Sequence, residues 1–265
     1  MLKFIDTHAH LTDEQFKGIV FDKEFFIADG FEVEKTITVA YDKQSIIDVI
    51  TLISKYDNIY GEIGVHPDDA HCFDEEVVSL LKSAKENKKI VAIGEIGLDY
   101  YHKDGDIEEI KKKQKEVFIK QLEIAHELEL PVVIHSRDAI GDTLEILVSN
   151  RHLLKNGGVL HCFSESLEVY KEIERLGLLI SVGGVVTFKN SRKLPEVLRY
   201  MNWNDILIET DCPYLTPEPF RGKMMNSPIL ARFTVMKIAE FMEKEPAEIC
   251  EMTTKNAYRV FKRLV

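Results

Sequence analysis

The chain has 265 residues, of which 45% are hydrophobic and 30% are charged. This composition supports a large packed core and excludes a fibrous or disordered chain. No segment approaches the roughly eighteen uncharged apolar residues of a membrane span, and the N-terminus lacks the pattern of a signal peptide. We therefore predict a cytoplasmic protein with no membrane partner, and nothing in the sequence indicates an obligate protein partner.

The formal net charge of −11 argues against broad adhesion to nucleic acid. An acidic protein that acts on nucleic acid would need bound cations or a small basic rim beside its site. Four cysteines are far apart and form no Cys-x-x-Cys pair, which favours reduced thiols over disulfides or a thiolate zinc site. They are Cys72, Cys162, Cys212 and Cys250.

Eight short β-branched runs recur along the chain, with room for a helix between each pair. They cover residues 3–6, 35–40, 59–65, 90–94, 131–135, 158–161, 178–182 and 206–209. Several are continuously apolar, as expected for parallel strands buried on both faces. Apolar residues at i, i+4 and i+7 predict helices around Ile46, Phe118 and Val169, and two more helices are predicted at 229–242 and 246–263. The region 13–31 fits no helix well. This alternation favours a single α/β domain over residues 1–265, a (β/α)₈ TIM-type barrel, rather than an open doubly wound sheet.

Uncommon residues gather where the predicted strands end. His8 and His10 follow the first strand two residues apart, so both imidazoles project to one side and can meet one metal ion. Glu95, His135, His161 and Asp211 end four other strands. The C-terminal strand ends of a barrel converge on one face, so these residues would share a pocket. For any one of the four histidines, a structural role in the core is the simpler explanation. That explanation must, however, be invoked independently for all four.

Nitrogen and carboxylate ligands without thiolate suit divalent ions such as Mg, Mn or Zn. Six ligands are too many for one tetrahedral ion, so two ions with Glu95 as the bridging carboxylate are predicted. Asp211 could ligate one ion and could also accept the proton of an attacking water molecule. Glu95 and Asp211 are therefore the predicted catalytic residues.

Four further residues are predicted substrate contacts. His66 follows the third strand, although capping a loop is an equal alternative. Arg137 lies two residues beyond His135, although pairing with a carboxylate is an equal alternative. Arg221 and Lys223 would form the basic rim beside the pocket. The remaining histidines at positions 71, 102, 126 and 152 are not predicted ligands, and Cys162 and Cys212 are predicted to point away from the pocket as packing residues.

At these residues the chain resembles the TatD family of metal-dependent deoxyribonucleases, a branch of the amidohydrolase superfamily. The resemblance is carried by the segments IDTHAHL (5–11), GVHP (64–67), GEIGLDYY (94–101), IHSRDA (134–139), HCFS (161–164), TFKN (187–190) and ETD (209–211). It implies a barrel with a two-metal centre at His8, His10, Glu95, His135, His161 and Asp211. It also implies hydrolysis of DNA phosphodiesters, often from the 3′ end.

The chain departs from the family pattern after Arg221-Gly222-Lys223, where two methionines precede Asn226 and lengthen the loop by one residue. We predict a 3′-5′ exonuclease on single-stranded or frayed DNA. The alternative is an amidohydrolase-type hydrolase of a C–N or ester bond, including an aminoacyl-tRNA ester, because the same centre can attack carbonyl carbon. A metal-binding scaffold without catalysis is a third, less favoured class.

Overall fold

The computed structural model describes residues 1–101 and 105–264. Eight parallel strands form one sheet in the chain order β1, β3, β4, β5, β6, β7, β8 and β9, and the short β2 pairs antiparallel with β3. The strands are β1 (Leu2–Ala9), β2 (Ile27–Ala28), β3 (Phe31–Val39), β4 (Ile59–Ile63), β5 (Ile90–Asp99), β6 (Val132–Arg137), β7 (Gly158–Leu160), β8 (Leu179–Val182) and β9 (Ile206–Ile208).

One helix follows each of the strands β3 to β8, and two helices follow β9, whereas the connection from β1 to β3 contains no α-helix among the described residues. The helices are α1 (Lys43–Ile53), α2 (Glu75–Lys82), α3 (Ile107–Glu127), α4 (Ile140–Ser149), α5 (Leu167–Arg175), α6 (Leu194–Tyr200), α7 (Ala231–Met242) and α8 (Pro246–Val260). The region 13–31 forms two short 3₁₀ turns, whose first amides are capped by Asp13 and Asp22, and then β2. None of the helices within the described residues combines the length and apolar character that a membrane span requires.

The barrel closes where the first strand meets the segment after the last. The His8 carbonyl accepts a hydrogen bond of 2.9 Å from the Asp211 amide, and the His10 amide donates one of 2.7 Å to the Cys212 carbonyl. These bonds join the end of β1 to the residues that follow β9, so the sheet is nearly closed. The predicted (β/α)₈ barrel is confirmed.

An apolar layer fills the lower interior of the barrel, toward the N-terminal ends of the strands. Each barrel strand contributes at least one buried side chain to it: Ile5, Ile37, Tyr60, Val91, Val133, Val159, Leu179 and Leu207. Burying one such side chain contributes roughly 1.5–3 kcal/mol. Phe261 and Leu264, which follow α8, are buried against this layer. The polar residues are therefore left to the opposite, C-terminal end.

Several predicted strand boundaries were wrong, since β1 continues to Ala9 and β3 begins at Phe31, and the largest difference is at the end of β5. The run at 90–94 was expected to end at Glu95, but β5 continues to Asp99. Its pairing with β6 shifts between Ile93 and Ile96, because the residues in between form an irregularity in the ladder. Glu95 thus lies at an irregularity inside a strand, and it lines the cavity at the barrel mouth.

Candidate metal centre

The two histidines at the end of β1 are both held inside the barrel mouth. His8 is fully buried and His10 is 8% exposed. Their rings meet edge to face with centroids 5.3 Å apart, and the pairing of β1 with β3 is irregular between Asp6 and Ala9. The Nε2 atoms of both rings face the same carboxylate oxygen, Oδ1 of Asp211, at 3.7 Å from His8 and 3.2 Å from His10.

The carboxylate of Glu95 lies between two pairs of histidines. Its Oε1 atom is 2.6 Å from His135 Nδ1 and 2.7 Å from His161 Nε2. Its Oε2 atom is 3.6 Å from His8 Nε2 and 3.8 Å from His10 Nε2. Each oxygen therefore faces a different pair, which is the arrangement expected of a carboxylate that bridges two cations.

The donor set of this cluster fits divalent metal ions. Ligand atoms of His8, His10 and Asp211 lie within 4.8 Å of one another, and so do those of His8, Glu95 and His161. The buried Nε2 of His8 has no hydrogen-bond partner among the described residues. Imidazole nitrogens and carboxylate oxygens that converge in this way are suited to a cation placed between them.

The electrostatics of the cluster favour positive charge. Burial disfavours the charged form of His135, but the carboxylates of Glu95 and Asp99 more than offset this and raise its pKa to about 9. Burial likewise opposes ionisation of Glu95, yet His161 and His135 outweigh it and hold its pKa well below the usual range. The same balance, with His10 as the main partner, lowers the pKa of Asp211. A field that retains protons on imidazole equally favours a metal cation in their place.

Behind these ligands, buried polar groups fix the strand ends. The backbone amide and hydroxyl of Thr210 donate to Asp6 over 3.0 and 2.6 Å, and burial raises the pKa of Asp6 to about 8. Glu209 accepts a 2.6 Å hydrogen bond from the Cys162 amide and another from the Ser181 hydroxyl. These bonds tie the segment carrying Asp211 to β1, to β8 and to the residues that follow β7.

Sequence reasoning missed two carboxylates that face ligand histidines. Glu62, in β4, is fully buried with Oε1 2.8 Å from His8 Nδ1. Asp99, the last residue of β5, has Oδ2 3.1 Å from His135 Nε2. The signal for Glu62 was an acidic residue inside an apolar strand run, which is rarely buried without a partner.

An open cavity of about 720 Å³ lies over the cluster. Tyr41 and Tyr214 line it beside His10, with ring centroids 6.2 and 5.9 Å from the imidazole. Arg137 lines it as well, and its guanidinium lies 3.7 Å from the ring centroid of Tyr101. Arg137 is the single Lys or Arg in the lining contributed by residues 1–101 and 105–264.

The predicted substrate contacts divide into two groups. His66 and Arg137 line the cavity, and His66 Nε2 is 3.8 Å from Glu95 Oε1. Burial lowers the pKa of His66 to about 4, so this ring is neutral at physiological pH. His66 also caps the following turn by accepting from the Asp68 amide, which was the stated alternative. The structure does not bring Arg221 or Lys223 into the lining: Arg221 stacks on Phe188, and Lys223 donates to a backbone carbonyl.

The expectation for Cys162 was wrong in one respect. It was predicted to point away from the pocket because an extended chain alternates its side chains, but Cys162 lines the cavity. Its φ of 47° is left-handed rather than extended, so the alternation does not apply. Cys212 is fully buried, as expected of a packing residue.

The other histidines lie outside the cavity lining where the structure describes them. His126 is in α3, and His152 is exposed in a 3₁₀ turn. His71 is on the surface with its Nε2 atom 3.1 Å from Cys72 Sγ. His102 lies outside the described residues.

Asn226 follows the loop that contains Arg221 and Lys223, and its side chain lies beside the backbone around Asp211. Asn226 is fully buried, and its side-chain amide donates to the carbonyl oxygens of Thr210 at 2.9 Å and Tyr214 at 2.6 Å. It therefore braces the backbone on both sides of Asp211. Met224, one of the two methionines that precede Asn226, is 49% exposed.

Comparison with known proteins agrees with this geometry. The family model described as TatD related DNase matches residues 5–262. The chain belongs to the TatD family. It is 43% identical to the metal-dependent hydrolase YabD of Bacillus subtilis over 97% of this chain and 98% of that protein.

A second relative is the metal-dependent hydrolase YcfH of Escherichia coli, at 35% identity over 97% of this chain and 95% of the relative. The crystal structure of the TatD homologue YjjV of E. coli superposes with a TM-score of 0.88 at 29% identity, covering 98% of both chains. This protein is therefore a metal-dependent hydrolase of the TatD family with a TIM-barrel fold.

Proposed function

We propose that this TatD-family hydrolase cleaves DNA phosphodiester bonds with two divalent ions, acting as a 3′-5′ exonuclease on single-stranded or frayed DNA. The observation that carries the proposal is the position of Glu95, whose two oxygens face separate histidine pairs within an open cavity. One ion would be held by His8, His10 and Asp211, and the other by His135 and His161. Bound divalent ions would supply charge that stabilises the phosphoryl transition state and would acidify a water molecule.

Asp211 is the residue we assign to proton transfer. Its lowered pKa keeps it ionised at neutral pH, and its carboxylate lines the cavity. An ionised carboxylate beside the reacting water can accept the proton that the water loses on attacking phosphorus. Asn226, Thr210 and Asp6 hold the backbone that presents it.

The charge of the cavity wall supports a substrate held near one end. Arg137 is the one cationic Lys or Arg side chain in the described lining, whereas Asp68 and Asp69 also stand in the wall. Few phosphates can then be neutralised by the protein itself. The logarithm of affinity should fall with the logarithm of salt concentration with a shallow slope, roughly −0.7 per phosphate contact for a single strand.

The aromatic side chains at the mouth support a single-stranded substrate. Tyr41 is 36% exposed and Tyr214 is 49% exposed, and both rings lie beside His10. Nucleobases stack on exposed aromatic rings when they are not already stacked in a duplex. A frayed terminus can place its last base against these rings, whereas an intact duplex keeps its scissile bond behind stacked neighbours.

The test is a cleavage time course with labelled DNA. Chelator-treated protein is supplied with Mg, Mn or Zn. It is then incubated with a linear single strand labelled at its 5′ end, or with the same strand as a closed circle. The Asp211→Asn variant is assayed in parallel as the control. We expect a ladder of products shortened from the 3′ end, no cleavage of the circle, and none by the variant. Rapid cleavage of the circle would refute the exonuclease assignment. No cleavage of any DNA together with brisk ester or amide hydrolysis would replace the proposal with the alternative.

A further inference from the structure

A buried carboxylate stands behind one of the metal-facing histidines. Glu62 Oε1 lies 2.8 Å from Nδ1 of His8, and both side chains are 1% exposed or less. The opposite ring nitrogen, His8 Nε2, faces Glu95 at 3.6 Å and Asp211 at 3.7 Å. The carboxylate of Glu62 and the proposed ion therefore lie on opposite edges of the same ring.

Glu62 has no competing partner within residues 1–101 and 105–264. Neither of its oxygens makes a well-aligned hydrogen bond there, the close approach to His8 Nδ1 being an ion-pair contact, and the strand around it is buried throughout. Burying a carboxylate in such surroundings is strongly unfavourable unless it is paired. The nearby Nδ1 of His8 is the group that offsets this cost, so the carboxylate and the imidazole constrain each other.

The consequence for His8 concerns which ring nitrogen carries the proton. A neutral imidazole has one N–H donor and one lone pair. A carboxylate beside Nδ1 favours the proton at that nitrogen, which leaves the lone pair on Nε2 for a cation. Carboxylates in this position also raise the basicity of a ligating histidine and fix the orientation of its ring.

We propose that Glu62 is a positioning residue that holds His8 in the Nδ1–H form and thereby strengthens the ion held by His8, His10 and Asp211. The proposal rests on the two-ion centre proposed above. The proposal also predicts that each carboxylate affects only one of the two ions, because Asp99 stands beside His135 as Glu62 stands beside His8. The Oδ2 atom of Asp99 is 3.1 Å from His135 Nε2, on the far side of the ring from Glu95.

The first test measures metal affinity rather than cleavage. The Glu62→Gln variant keeps the size and an acceptor oxygen but removes the charge. In a chelator competition with Zn or Mn, we expect the affinity for the ion held by His8 to fall roughly 10- to 100-fold. The affinity for the other ion should not change. Asp99→Asn should show the reverse selectivity. Glu34→Gln is the matched control, because Glu34 accepts a hydrogen bond from Tyr258 and does not line the cavity.

The second test separates positioning from simple structural support. In ¹⁵N NMR of histidine-labelled protein loaded with Zn, the wild type should show His8 with its proton at Nδ1 and the ion at Nε2. Glu62→Gln should weaken and broaden this Nδ1–H signal, with the melting temperature of the metal-free protein unchanged. Equal affinity for both ions in Glu62→Gln and wild type, or equal weakening of both ions, would overturn the proposal. Because neither readout uses DNA, failure of the nuclease assignment would leave this result standing.

Discussion

The close approach of β5 and β6 at the metal centre makes Gly97→Ala an informative change. Gly97 pairs with His135 across the two strands and has a φ of +147°, a conformation that side-chain-bearing residues rarely adopt. A Cβ atom on Gly97 would lie 2.0 Å from the carbonyl oxygen of His135. Since ordinary van der Waals contact begins near 3.4 Å, the two backbones must separate by about 1.4 Å.

This separation moves the backbone that carries a proposed ligand. A misplacement of about 1 Å typically costs on the order of 100-fold in rate, so we expect metal-dependent cleavage by Gly97→Ala to fall about 100-fold. Strain of about 1–3 kcal/mol should also lower the free energy of unfolding. Elemental analysis should show loss of the ion next to His135, and kcat/KM on a labelled oligonucleotide should show the loss in rate.

Gly141→Ala is the matched control for this change. Gly141 lies in α4, its φ is unremarkable, and a Cβ there would meet nothing within 4 Å. Alanine at an exposed helical position should stabilise the fold by about 0.4–1 kcal/mol and leave the metal content unchanged. If Gly97→Ala retained both full metal content and wild-type turnover, the proposed dependence of the centre on the β5–β6 contact would be wrong.

Three further predictions concern the surroundings of the site. Asn226→Ala should lower the free energy of unfolding by about 2–4 kcal/mol, because two buried carbonyl oxygens lose their donor, and urea unfolding checks this. Removing metal with a chelator should lower the melting temperature, measured by calorimetry, and abolish hydrolysis, measured with labelled DNA. Adding a divalent ion should restore both. Lys115 and Tyr100 lower the pKa of Asp142, so this carboxylate stabilises the fold above its unfolded pKa near 3.9, and the contribution is lost as pH falls through the lower folded value. Wild type should therefore exceed Asp142→Asn by less than about 1 kcal/mol at pH 7 and by nothing near pH 2, measured by urea unfolding at both pH values.

The barrel and the cluster could be predicted because both depend on strand periodicity. Short β-branched runs located all eight barrel strands, and the strand ends of a barrel converge wherever the connecting segments go. His8, His135 and His161 therefore came together without any knowledge of the loops. Glu95 lines the mouth, as predicted, although β5 does not end there, and the pairing of β5 with β6 is irregular around it.

The parts that could not be predicted depend on local backbone geometry and on contacts between distant strands. Cys162 lines the cavity because its backbone is in the left-handed conformation, which no pattern in the sequence predicts. The positions of Arg221 and Lys223 depend on the path of the loop after Pro213, which directs Arg221 onto Phe188. The pairing of Glu62 with His8 joins different strands, so nothing local in the sequence indicates it.

The central claim is that the carboxylate of Glu95 bridges two ions. Anomalous X-ray diffraction from crystals of the protein loaded with Zn or Mn tests it most directly. We predict two anomalous peaks, one between Glu95 Oε2 and the group of His8, His10 and Asp211, and one between Glu95 Oε1 and the pair of His135 and His161. A single peak, or two peaks of which neither contacts Glu95, would contradict the account.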